Sequence, residues 1–74
     1  MRKYEEALKS YDKAIGLNPK DAEAWLNKGV TLSAMGMYKE ALESYDKAIE
    51  LGGKYGEMAR HNKSVTLSRM GKAG

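Results

Sequence analysis

Residues 38–51, Tyr-Lys-Glu-Ala-Leu-Glu-Ser-Tyr-Asp-Lys-Ala-Ile-Glu-Leu, repeat residues 4–17, Tyr-Glu-Glu-Ala-Leu-Lys-Ser-Tyr-Asp-Lys-Ala-Ile-Gly-Leu, at a spacing of 34. A second echo sets Ala24 to Gly36 against Ala59 to Gly71 at a spacing of 35, with Ala, Asn, Lys, Val, Thr, Leu, Ser, Met and Gly in register. The extra residue falls in the Gly-rich link. A fixed period of this length means stacked units, each unable to bury its apolar face alone, with the core formed between neighbours. The chain reads as a slice of a solenoid.

Inside each unit the spacing is helical. Tyr4, Ala7, Leu8, Tyr11, Ala14 and Ile15 recur at three- and four-residue steps, which places them on one side of a helix. Pro19 stops that helix after Leu17. Asp21 can cap the next by accepting backbone hydrogen bonds, Ala24, Trp25, Lys28, Gly29 and Leu32 then share a face, and Gly36 supplies a left-handed end. The third helix, from about Met37 to Leu51, copies the first. A fourth is expected to start near Gly56 and to run to about Met70. Links of only a few residues force antiparallel neighbours, and nothing suggests a strand. The expected fold is all-α, four helices in stacked antiparallel hairpins.

Seventy-four residues make one small domain. A chain of this size buries only about 60% of the surface it exposes unfolded, so helix packing or association has to supply its stability. Disulfides do not contribute, because there is no Cys, and a single His cannot build a metal cage with standard ligand spacing. No cofactor is expected. Apolar runs are too short for a membrane span, and the N-terminus lacks a secretory apolar core, so a cytoplasmic protein is the expectation. The net charge of +3 comes from 13 basic and 10 acidic side chains scattered along the chain. Nucleic-acid binding needs a clustered footprint, and none is present, so no nucleic-acid partner is expected.

These residues resemble the tetratricopeptide repeat family across essentially the whole chain. Trp25 and Gly29 are spaced as in the family's W-x2-L-G pattern, and Ala41 with Tyr45 as in A-x3-F, with Tyr for Phe. Ala48 and, one period back, Pro19 also fall where the family has Ala and Pro. Lys28 replaces the pattern's Leu, Leu32 its Tyr, Gly53 its Pro, and Arg60 stands where an echo of Trp25 is due. Matching small residues let antiparallel helices approach closely, while Trp25, Tyr38 and Tyr45 fill the space around them. The resemblance implies that residues 1–20 are the second helix of one repeat, 21–54 a complete repeat, and 55–74 the first helix of another, wound in a right-handed superhelix. One side of the last helix, around Ser64 and Leu67, is then expected to face a helix resembling residues 3–17.

The resemblance also implies a non-catalytic protein-interaction module whose groove is lined by first helices. The expected groove residues are Glu23, Leu26, Asn27, Val30, Ser33 and Ala34, with Met58, His61, Asn62, Val65, Ser68 and Arg69 from the last helix, edged by Lys54 and Tyr55. Asn27 and Asn62 stand out, since an amide offers both donor and acceptor to an extended peptide backbone. Some relatives hold a peptide's terminal carboxylate with basic residues spread over three first helices. Here one such position is Met58, and the complete clamp is absent. A mixed apolar and polar groove for small hydrophobic anchors is expected instead.

A second reading is self-assembly, in which helix 3–17 of one molecule docks on the last helix of another and gives a head-to-tail homo-oligomer. An enzyme is the poorest class. His61 has no Cys or Ser-Asp companion on its face. Glu5 with Lys9 and Glu43 with Lys47 sit one turn apart, but opposite charges at that spacing support an exposed helix face.

Overall fold

The computed structural model describes residues 2–73 as four helices: α1 (Arg2–Leu17), α2 (Ala22–Ala34), α3 (Tyr38–Leu51) and α4 (Gly53–Ala73). Each helix packs on the next in the chain, and α2 also touches α4. The result is a slab of 36 × 29 × 14 Å, one helix layer folded back on another.

The turns follow from a few side chains. After α1, Asn18 Oδ1 accepts from the Lys20 amide at 3.1 Å, the Trp25 indole N–H donates to the Pro19 carbonyl at 2.9 Å, and Asp21 Oδ1 accepts from the Ala24 amide at 3.1 Å. Side-chain and backbone acceptors thus close the turn and cap α2. At the far end of α2, Gly36 adopts φ +80°, the Met37 amide donates to Leu32 O at 2.9 Å and the Gly36 amide to Ser33 O at 3.0 Å. Those two bonds make a Schellman ending, which satisfies carbonyls that a helix terminus otherwise leaves open.

The start of α4 departs from the expectation of a helix beginning near Gly56. Gly52 and Gly53 both take positive φ, 79° and 71°, and the Gly56 amide already donates to Gly52 O at 3.2 Å. Two left-handed glycines reverse the chain without the rigid Pro of the earlier turn, and the helix gains a turn. Gly56 is a packing residue, not a cap: it is buried, and a β-carbon there would stand 3.0 Å from the Ala48 carbonyl oxygen. α4 also continues past Met70, to Ala73.

Leu26, Leu32, Ala41, Tyr45, Ala48 and Ala59 form the core, with Leu8, Trp25, Leu42, Ile49 and Tyr55 packed against it. Alanines at 41, 48 and 59 are fully buried. Their small size lets α3 lie close to both α2 and α4. Two charged pairs run between helices where the sequence suggested pairs within them. Lys28 Nζ sits 2.7 Å from Asp12 and Lys63 Nζ 2.6 Å from Asp46, while Lys47 is nearest Glu50, at 4.0 Å. Lysine stems reach across the helix junction because the two helices are so close.

Candidate functional site

Two hollows open on opposite helix faces. The larger, about 520 Å³, has Trp25 and Leu32 in its floor and Glu40, Glu43, Asp46 and Glu50 on α3 around it. Its carboxylates sit on exposed side chains, and Asp46 and Glu50 already have lysine neighbours. This is a solvated charged surface.

The smaller hollow, about 240 Å³, lies where α2 faces α4, lined by Val30, Ser33 and Ala34 from α2, Tyr45 from α3, and Asn62, Val65, Thr66 and Arg69 from α4. Helical spacing puts Val30, Ser33 and Ala34 on one side of α2, and Asn62, Val65, Thr66 and Arg69 on one side of α4. The two sides meet because both helices pack against α3.

The floor of the hollow is closed by hydroxyls. Ser33 Oγ and Thr66 Oγ1 are 3.2 Å apart, with Ser33 8% exposed and Thr66 1%. Tyr45 is buried as well, its ring against Gly29, and it joins Ser33 and Thr66 in lining the hollow. Burial raises the Tyr45 phenol above its ordinary range, while the nearby Thr66 and Ser33 hydroxyls and the Arg69 charge pull the other way. Among the described residues no buried side-chain polar atom lacks a partner. The rim combines apolar and polar groups: Val30 and Val65 are 44% and 39% exposed, Asn62 is half-buried, and Arg69 is exposed.

Of the residues expected to line a groove, Val30, Ser33, Ala34, Asn62, Val65 and Arg69 meet at this hollow. Leu26 does not. It is 3% exposed, turned into the core, so it offers no surface to a partner. Ser33 is floor instead of contact surface, because its hydroxyl is engaged by Thr66. Glu23, Met58, His61 and Ser68 are exposed and Asn27 is half-buried, all outside the lining. Lys54 and Tyr55 form a pair of their own at the start of α4, the ammonium 5.1 Å from the ring centroid. Tyr45 and Thr66 were missed. Tyr45 reads as core filler, and the only sequence signal for Thr66 is that a polar residue recurs one period from Thr31, which is also buried.

Two family models match the chain, one described as tetratricopeptide repeat over residues 22–55 and one as TPR repeat over residues 3–36. The chain belongs to the tetratricopeptide repeat family. Members of that family generally mediate protein–protein interaction and are non-catalytic. No curated protein and no solved structure matches the chain significantly. Among the described residues of this tetratricopeptide repeat protein, no group of three or more His, Cys, Asp or Glu is placed to hold a metal ion. No described helix is long and apolar enough to cross a membrane.

Proposed function

We propose that this chain holds an extended segment of a protein partner in the hollow between α2 and α4. The observation that carries the reading is the convergence of Val30 and Val65, both partly exposed, beside Asn62 and Arg69. Covering two valines removes apolar area from water, at roughly 25 cal/mol per Å². The Asn62 amide can give and accept a hydrogen bond with the partner's backbone, and Arg69 can meet a carbonyl or carboxylate. The partner chemistry this fits is a peptide with a small branched or methyl side chain followed by a polar or acidic group.

The test is selection of peptides from a displayed random library on the wild-type chain, followed by binding measurements with Val65→Asp and Asn62→Ala. Each substitution should weaken the selected peptides by about tenfold or more. Affinities unchanged in both would put the partner on another face and remove this reading.

A further inference from the structure

The ion pairs between helices define which residues are equivalent along the stack. Lys28 meets Asp12 as Lys63 meets Asp46, so α4 sits on α3 as α2 sits on α1. On that register Trp25, Gly29 and Leu32 of α2 correspond to Arg60, Ser64 and Leu67 of α4. In α2 this face is covered by α3: Gly29 and Leu32 are buried and Trp25 is half-buried. In α4 it is open, with Arg60 and Ser64 exposed and Leu67 49% exposed.

The molecule also contains a helix suited to that face. α3 is held between α2 and α4, whereas among the described residues α1 contacts α2 alone. Residues 4–17 are identical to residues 38–51 at eleven of fourteen positions. The α1 side equivalent to α3's contact with α2 is not covered by any described helix, and Tyr11 on it is half-buried where Tyr45 is 2% exposed.

We infer that the Arg60, Ser64 and Leu67 face of α4 is a docking surface for α1 of a second copy of this chain, and that the Ser64 side chain limits its strength. α3 on α2 is the template. A β-carbon at Gly29 would stand 2.5 Å from Cε1 of Tyr45, closer than real contacts allow. Ser64 carries such a β-carbon, and a hydroxyl beyond it. Tyr11 of the second copy therefore seats over α4 only with a displaced ring, an overpacking that weakens the contact. Arg60 weakens the contact further, since a guanidinium replaces the indole that α3 and the Pro19 turn hold in place. The contact is head-to-tail, so successive copies extend the stack instead of closing a two-fold dimer.

The experiment is sedimentation of the chain over a wide range of concentration, with helicity followed in the same samples, for wild type, Ser64→Gly, and Ser64→Gly combined with either Leu67→Glu or Tyr11→Ala. Ser64→Gly is expected to move the onset of association to a concentration roughly tenfold lower, and each added substitution to reverse it. If Ser64→Gly loses helicity, Arg60→Trp serves as the second variant, with the same expected gain and the same reversals. A sedimenting mass no larger than wild type in the folded variant would overturn the inference. So would association that survives Leu67→Glu or Tyr11→Ala, since the occupied face would then be a different one.

Discussion

The Tyr45 ring lies across Gly29, so close that a β-carbon on the glycine would stand 2.5 Å from Cε1 and 2.6 Å from Cδ1. This single contact seats α3 on α2 and at the same time delivers the tyrosine hydroxyl to the floor of the hollow. Gly29→Ala would gain up to about 1 kcal/mol of helix propensity and lose more by forcing a buried ring aside. A net loss of roughly 1–2 kcal/mol is expected, read as a lower urea midpoint.

The hydroxyl floor predicts an asymmetry between two substitutions. Thr66→Val removes one hydroxyl and leaves that of Ser33 short of its partner in a buried place. It should cost about 1–3 kcal/mol, more than Tyr45→Phe, which leaves Ser33 and Thr66 bonded to each other. Urea unfolding of the two variants side by side checks the order.

Tyr45 also gives the protein an alkaline limit. Its folded-state pKa is raised, chiefly by burial, above the ordinary 10.0. The unfolded chain then gives up the phenolic proton at lower pH than the folded one, so this part of the stability is complete below pH 10.0 and is lost as pH climbs from there towards the folded value. Stability measured against pH should fall in that window for wild type. Tyr45→Phe should remove that component of the fall.

Two glycines in helices should respond in opposite directions. Gly16 has nothing within 4 Å of where a β-carbon would sit, so Gly16→Ala should stabilise by up to about 1 kcal/mol through backbone entropy alone. Gly56 faces the Ala48 carbonyl at 3.0 Å, a backbone atom that can yield only if α3 moves. Gly56→Ala should therefore destabilise, and hydrogen exchange should show the loss in α4 and the end of α3. Thermal midpoints of the two variants give the signs.

The ion pairs should contribute little. Lys63 and Asp46 are 2.6 Å apart, yet their side chains are 36% and 54% exposed. Asp46→Asn should cost below about 1 kcal/mol, and the difference from wild type should shrink in molar salt. A large, salt-independent loss would contradict this account of the pair as a register mark.

The repeat of residues 4–17 in residues 38–51 determined the four helices and their antiparallel order, since apolar spacing, Pro19, Asp21 and Gly36 are local signals with local consequences. The same pattern brought six of the expected groove residues to one hollow. It misled at Leu26, because helical periodicity says which residues share a side, not how far the neighbouring helix wraps around that side. Gly56 reads in the sequence only as the start of the last helix, for a related reason. Its role depends on the Ala48 carbonyl opposite, eight residues away in the chain but on another helix.

Only the tertiary structure decided what the polar residues do. Ser33 and Thr66 are thirty-three positions apart, and no sequence rule joins them or adds the hydroxyl of Tyr45. Asp12 with Lys28 and Asp46 with Lys63 lie across helix junctions, where the in-helix spacing of Glu43 and Lys47 had suggested partners. Periodic burial is written along one helix and is legible in its residues. A hydrogen bond or a groove belongs to two helices at once, and the distance between them is set by the glycines and alanines that let them close.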